Sequence, residues 1–419
     1  MFDPDAVSRL PDVVLRQGEI PPGRRPRLVA TGYGGSVRTS FSGSSFYLSS
    51  AGIDSGSLDG AFTLFSDQRP DRALQAKGAW WKLQRALRRE SVSGFKFSGE
   101  FSAHLWRRHL PALAGTDIIS NFQLYSERFF RQRTAYGVRA FYYLDGTLHD
   151  YLRGYREYDV QAIDPSTLDR VIELERQGYH HADGVAVMSE FVARTLVEEY
   201  GLARDRITVV PPGANLTDET AERIVAARHA RAEAEEFTVG FVGVYPERKG
   251  LPKLAAAVAA LRRDNVPVRL QVVGRCPEDI ASMDGVDALG FISKATEPTR
   301  FAEAMARVDL GCQLSTVEMF GIAVVEFLRC GIPVLATDVG GVSDTLSGGG
   351  CIDVAADVTT DEVGAAIRRV VDDRAERQRL SVEAADRRDT MRWQRTATAL
   401  GELVAGHGTV VDHHHLPHG

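Results

Sequence analysis

Cysteine is scarce in this chain: Cys276, Cys312, Cys330 and Cys351 are the only four in 419 residues. All fall in the C-terminal half, in or beside apolar strand or helix ends, with no metal-like spacing. Reduced, packed thiols are therefore expected, and a disulfide framework is not. Long apolar runs are also missing, and none approaches the ~20 residues that a bilayer span requires. The opening stretch, MFDPDAVSRLPDVVLRQGEI, carries acidic residues and no apolar core of signal-peptide length. Positive charge is not in excess either. A net charge of −6 argues against a nucleic-acid partner for the molecule as a whole. These absences point to a cytoplasmic enzyme. What remains is ordinary globular composition, 44% apolar and 25% charged, at a length that suggests two or three domains.

The most informative stretch is residues 310–341, LGCQLSTVEMFGIAVVEFLRCGIPVLATDVGG. It reads as a strand over Val308–Leu314, a short loop, a helix starting near Phe320, and a second strand over Pro333–Thr337. Gly331 supplies the helix stop and Pro333 prevents continuation. Strands this apolar belong to parallel sheets covered on both faces. Two glutamates do not fit a plain core helix: Glu318 before it and Glu326 among Ile322, Ala323, Val324, Val325, Phe327 and Leu328. A buried carboxylate costs several kcal/mol unless it is paired or hydrogen-bonded. The amides of Phe320, Gly321, Ile322 and Ala323 would form a helix start that favours phosphate. Glu326 would lie about 9 Å further on, at 1.5 Å per residue, roughly the reach from a diphosphate to its ribose. Glu318 would face the group at the other end of the diphosphate. The bland alternative is that Glu318 merely answers the helix dipole and Glu326 points to water.

The E-x7-E spacing followed by GIPVLATDVGG resembles the donor-site signature of retaining glycosyltransferases of family four. This chain has Leu314-Ser315 and Met319-Phe320-Gly321 where the family usually has Pro-Ser and Gly-Phe-Gly. The resemblance implies a GT-B fold: two Rossmann-like α/β domains facing across a cleft, with the C-terminal helix crossing back to the first. The expected division is 1–215 plus 391–405 for the N-terminal acceptor-side domain and 216–390 for the C-terminal donor-binding domain. The tail, 406–419, is expected to be disordered.

Other stretches take their place in that frame. After a strand at Pro26–Ala30 comes TGYGGSVRTSFSGSS, a glycine-rich loop of the kind that lets backbone approach a ligand closely. A helix is expected from Ser44. Ser42-Gly43 is similar to the Ser-Gly pair of a family-four subgroup, and Gly34-Gly35 competes for the same role, so Gly35, Gly43 and Ser44 are candidates for donor contact. Asp145 ends the strand Val138–Leu144, where open α/β sheets bind ligands. The resemblance gives it a donor-sugar or acceptor-hydroxyl contact, and a turn-forming Asp-Gly is the plain alternative. His149, His180 and His181 are read as structural. Gly213-Ala214-Asn215 and Arg248-Lys249-Gly250 are similar to further motifs of that subgroup. Arg248 and Lys249 would neutralise a diphosphate at the end of the strand FTVGFVG. Many family members place their arginine where this chain has Val244. The loop through Ile292 is expected to pack on the nucleotide base, mostly through backbone groups.

Residues 69–108 are strongly basic and contain Trp80 and Trp81. Such a stretch is a solvated helix face with its tryptophans packed inward, or a surface for an anionic membrane or an acidic acceptor. Peripheral contact at an inner membrane face is thus the alternative to a purely cytoplasmic location.

The reaction implied is transfer of a sugar from a UDP- or GDP-sugar to a hydroxyl on a saccharide, small molecule or lipid-linked acceptor, with retention at the anomeric carbon. Glu318, Lys249, Arg248 and Asp145 are the expected catalytic residues. Glu326, Phe320, Gly321, Ile322, Ala323 and Ile292 are expected to hold the donor. No metal or other cofactor is expected, since no DxD-like pair lies in the loops concerned. A nucleotide-sugar epimerase of the same architecture and a catalytically silent partner-binding subunit are the alternatives.

Overall fold

The computed structural model describes residues 7–8, 10, 12–17, 20–21, 23–33, 37–38, 43–65, 72–88, 92, 95, 98–120, 127–154, 165–231 and 235–406. The chain divides into two compact units, one running to Pro211 and resuming at Thr396, the other spanning Pro212–Arg395.

The first unit is built on a seven-stranded sheet. Its strands are β1 (Val14–Leu15), β2 (Arg27–Tyr33), β3 (Gly60–Phe65), β4 (Asp117–Ser120), β5 (Arg139–Leu144), β6 (Gly184–Val187) and β7 (Ile207–Val209). Their order is β1-β3-β2-β4-β5-β6-β7, and every pairing is parallel except β1 with β3. The helices are α1 (Ser44–Asp54), α2 (Arg72–Leu87), α3 (Gly99–His109), α4 (Glu127–Arg133), α5 (Leu148–Gly154), α6 (Pro165–His181) and α7 (Glu190–Glu198). Leu28, Phe62, Ile118, Tyr142 and Val185 join one buried core, as expected when helices cover strands that are apolar on both sides. Ser189 caps α7 by accepting from the Val192 amide.

In the second unit a wholly parallel sheet has the order β10-β9-β8-β11-β12-β13. Its strands are β8 (Phe237–Gly243), β9 (Val268–Gly274), β10 (Val286–Gly290), β11 (Leu310–Gln313), β12 (Val334–Thr337) and β13 (Cys351–Val354). Around them lie α8 (Asp218–Ala230), α9 (Leu251–Arg263), α10 (Glu278–Ala281), α11 (Pro298–Ala306), α12 (Ile322–Arg329), α13 (Val342–Leu346), α14 (Thr360–Asp372) and α15 (Arg374–Asp386). Val239, Phe241, Leu270, Leu310 and Leu335 form its core. Parallel sheets of this kind place their ligand-binding loops at the carboxyl ends of the strands.

The last helix, α16 (Trp393–Ala405), begins in the second unit and returns the chain to the first. Trp393 Nε1 donates to Asn215 Oδ1 at 3.1 Å. Further along, Thr396 Oγ1 donates to the Pro211 carbonyl at 2.7 Å, and Arg139 donates to the Val404 carbonyl at 2.9 Å. The crossing helix expected from the resemblance is therefore present. The tail expected to be disordered, beyond residue 406, lies outside the described residues.

Two sequence expectations need correcting. The helix expected to start near Phe320 starts at Ile322, because Gly321 caps it in the left-handed region at φ 81°. Strands β4, β6, β7, β9 and β10 overlap short apolar stretches that also read as strands in the sequence, whereas β1, β3 and β13 carry no such expectation. Among the described residues no helix is long and apolar enough to cross a membrane.

Candidate active site

Two loops at the carboxyl ends of adjacent strands are tied together. After β8 the chain turns through 244–250 into α9, and after β11 it turns through 314–321 into α12. The Thr316 amide donates to the Arg248 carbonyl at 2.9 Å, and the Leu314 amide to the Lys249 carbonyl at 3.2 Å. Two consecutive cations are thereby set against Glu318. Its Oε2 accepts from Arg248 Nη1 at 3.0 Å, Lys249 Nζ at 3.1 Å, Gln313 Nε2 at 3.3 Å and Ser315 Oγ at 3.4 Å. Burial alone would push the Glu318 carboxyl up, but Lys249 and Arg248 outweigh it and hold the group below its ordinary range.

The cluster carries one anion and two cations, so it retains a net positive charge. The start of α12 sits against it. A Cβ built on Gly321 would lie 3.6 Å from Glu318 Cγ and 3.2 Å from Gln313 Nε2, and 2.8 Å from Val342 Cγ2. With φ at 81°, glycine is the residue that fits both the conformation and the space. Gly340 makes the other close approach: a Cβ there would fall 1.9 Å from the Glu318 carbonyl oxygen. Net positive charge and the positive end of a helix thus converge, which is the electrostatics of an anion site.

Glu326 lies one turn into α12, about 6 Å from its start, and is 1% exposed. It does not point to water; Lys294 reaches it from the loop after β10 and forms an ion pair. Ile292 in that loop is buried, as are Phe320 and Ala323, whereas Ile322 is half-buried. The buried glutamates are paired, as their burial requires. Arg248 and Lys249 are paired with Glu318, and Lys294 is paired with Glu326. Nor are Arg248 and Lys249 surface charges, at 11% and 13% side-chain exposure. Gln313, Ser315 and Lys294 contact the candidate residues and were not candidates from the sequence; Lys294, two residues after Ile292, was the one with a legible charge.

The remaining candidates belong to the first unit. Gly35 lies outside the described residues. Gly43 caps α1 at φ 91°, and Ser44 is buried at its first position. Asp145 follows β5 directly, half-buried, and accepts from Tyr151 Oη at 2.9 Å. Its turn is held by a buried polar network that sequence reasoning missed. The Thr147 amide and hydroxyl both donate to Asp150 at 2.8 Å. The Leu148 amide donates to Glu175 Oε1 at 3.0 Å, and Tyr179 Oη donates to the same oxygen at 2.7 Å. Tyr200 Oη donates to Glu175 Oε2 and accepts from the His149 amide. Burial in this network pushes the Glu175 carboxyl up to about 7. The sequence signal was a glutamate and a tyrosine four apart on α6, which face each other on a helix.

His149 contacts Glu199 at 3.5 Å. His180 and His181 bond to the carbonyls of Tyr200 and Gln177. Among the described residues no group of three or more His, Cys, Asp or Glu is arranged to hold a metal ion. A cavity of about 530 Å³ in the second unit opens instead at the amino-terminal ends of β8 and β11, beside Phe237 and Asp309, remote from the Glu318 cluster.

Comparison with known proteins identifies the relatives of both units. A family model described as Glycosyl transferases group 1 matches residues 226–387, and one described as Glycosyltransferase Family 4 matches residues 61–218. The chain is similar to the D-inositol 3-phosphate glycosyltransferase of Nocardia farcinica (strain IFM 10152), 31% identical over 54% of this chain and 53% of that one. It also resembles the enzyme of the same description from Gordonia bronchialis, 33% identical over 42% of each. The chain thus spans about half the length, or less, of these curated relatives. Among solved structures, sucrose-phosphate synthase from Thermosynechococcus elongatus superposes with a TM-score of 0.64 at 18% identity, covering 91% of this chain and 99% of that one. Anabaena HepE in complex with UDP and glucose gives a TM-score of 0.61 at 17% identity, covering 91% and 100%. The fold is GT-B, and both halves of the chain carry glycosyltransferase-type domains.

Proposed function

We propose that this protein is a retaining glycosyltransferase that moves a sugar from a nucleotide-diphosphate sugar, UDP- or GDP-linked, to a hydroxyl acceptor. The observation that carries this reading is the net-positive Arg248–Lys249–Glu318 cluster set against the start of α12. A leaving diphosphate develops charge as its bond to the sugar breaks, and donors already aimed at such charge usually do most to stabilise it. Arg248, Lys249 and the opening amides of α12 are the donors assigned here. Glu326 is assigned the ribose hydroxyls, Glu318 the sugar hydroxyls, and the loop at Ile292 the base. Asp145 is assigned a hydroxyl of the donor sugar or the acceptor, with Gly43 and Ser44 near the donor phosphates.

In this scheme the anomeric carbon–oxygen bond breaks and its electron pair leaves on the β-phosphate. The acceptor oxygen bonds the same face of that carbon, and its proton passes to the departing phosphate. Glu318, held by two cations, is poorly suited to act as a covalent nucleophile, which supports front-face transfer over double displacement. The chemistry calls for no metal, because side-chain cations and helix amides neutralise the leaving group.

The test is nucleoside diphosphate release from a panel of UDP- and GDP-sugars, with and without acceptors. D-inositol 3-phosphate is a first choice, from the description of the relatives, and the product's anomeric configuration is read by NMR. Acceptor-dependent release with a retained anomer is expected. An inverted product would refute retention, and an isomerised donor formed without acceptor would identify an epimerase.

A further inference from the structure

The first part of the basic stretch noted in the sequence is a helix with two different faces. Helix α2, Arg72–Leu87, buries Leu74, Gly78 and Arg85. Trp81 packs on the same unit, 5.7 Å from the Phe95 ring and with the Arg85 guanidinium 4.8 Å over its own. Trp80 does the opposite. It is 61% exposed, Leu83 50% and Leu87 77%. At 100° per residue, positions 80, 83 and 87 form one stripe, directed away from the buried Leu74 and Gly78. Adjacent tryptophans in the sequence thus differ: Trp81 is half-buried against Phe95 and Arg85, and Trp80 is exposed.

The charge around the stripe is of a single sign. No Asp or Glu occurs between Arg72 and Arg88, although the chain as a whole carries a net charge of −6. Arg72 flanks the stripe on one side, and Lys77 and Arg88 flank it on the other; all three are exposed. Scattered exposed apolar residues need no explanation, but three large ones aligned on a cationic helix do.

We propose that α2 is a docking surface for an anionic lipid bilayer, lying in the plane of the interface with Trp80, Leu83 and Leu87 inserted. Tryptophan favours the interfacial region of a membrane, and a helix with an apolar stripe and cationic borders is the form that lies there. Each lysine or arginine near an anionic surface strengthens the attraction. Charge complementarity selects the occupant. A patch of one sign is complemented by a surface of the other, and α2 offers a cationic border around an apolar stripe. The surface is independent of the donor-site assignments, since none of those residues lies on α2.

Co-sedimentation of the full chain with phosphatidylcholine vesicles, alone or mixed with phosphatidylglycerol, tests this directly. Pelleting is expected with the mixed vesicles, weakened by salt, and not with phosphatidylcholine alone. A Trp80→Ser, Leu83→Ser, Leu87→Ser variant should lose about tenfold or more in partitioning, because it loses the inserted apolar area, while its circular dichroism spectrum stays unchanged. Absence of pelleting with either vesicle would overturn the proposal, as would undiminished binding by the variant. Analytical ultracentrifugation showing self-association that the variant lacks would overturn it in favour of a second copy of the chain.

Discussion

Lys249 Nζ stands 3.1 Å from Glu318 Oε2, across a sequence separation of 69 residues. Arg248, the preceding residue, reaches the same oxygen at 3.0 Å. One carboxylate therefore orients two cations whose proposed work is done on a third party, the leaving diphosphate. Lys249→Ala should lower turnover by about 10² to 10³, the range for losing one preorganised donor. Nucleotide affinity should fall less, by under about tenfold, since Arg248 and the helix start remain. Steady-state kinetics beside calorimetry would show the split; a loss of affinity with turnover unchanged would place Lys249 in ground-state binding alone.

The same cluster makes stability depend on pH. The Glu318 carboxyl is held below its ordinary range in the folded protein. Its contribution is therefore full above the unfolded value of about 4.3 and is lost as pH falls through the folded value. Glu318→Gln should flatten that part of the acid-unfolding curve. It should also destabilise the protein at neutral pH by roughly 3 kcal/mol, the range for breaking a buried ion pair. Urea titrations at neutral and acid pH would measure both effects.

Glu175 works in the opposite direction. Its carboxyl is raised to about 7 by burial, above the unfolded value of about 4.3. The folded protein binds the proton more tightly between those values, so this group's contribution to stability declines as pH rises from about 4.3 to about 7. Glu175→Gln should remove the decline, with a total of roughly 3 kcal/mol at stake. Glu175→Ala, which leaves Tyr179, Tyr200 and the Leu148 amide without this acceptor, should destabilise at every pH. Thermal melts across pH 4 to 8 (about the window of the titration) decide the matter, and an unchanged slope in the Gln variant would contradict it.

Asp145 stands at the end of β5 with Tyr151 Oη on its carboxylate. Asp145→Asn should reduce turnover by about 10- to 100-fold, a size typical of a lost positioning contact, and leave nucleotide affinity in the second unit unchanged. Tyr151→Phe should have a smaller effect of the same kind. A loss of nucleotide binding in either variant would contradict the assignment.

The parts of this architecture that were legible in the sequence are local. The pattern strand, loop, glycine and apolar helix around 310–341 specifies its own conformation, and GIPVLAT announces the following strand. The start of α12 falls two residues later than the apolar pattern suggests, because the left-handed conformation of Gly321 makes it the cap and not a helical residue. Partners brought together by topology were not legible. Lys294 meets Glu326 across 32 residues, and Glu175 meets the Leu148 amide across 27. Nothing in either segment's own pattern names the other. Strand β3, GAFTLF, was missed because a short apolar run after Asp-Gly carries no periodicity that separates strand from buried helix. The paired tryptophans show the same limit: only the buried side of α2 reveals which of Trp80 and Trp81 faces out.

Central to the proposed function is a nucleotide-diphosphate site formed by α12 and the Glu318 cluster. Calorimetric titration with UDP, GDP and ADP, using Glu326→Ala as control, tests it most directly. UDP or GDP is expected to bind tightly, and the Glu326→Ala variant to lose roughly tenfold or more of that affinity, the loss of a charge-assisted hydrogen-bond partner. Absence of binding by all three nucleotides, or equal binding by the variant, would contradict it.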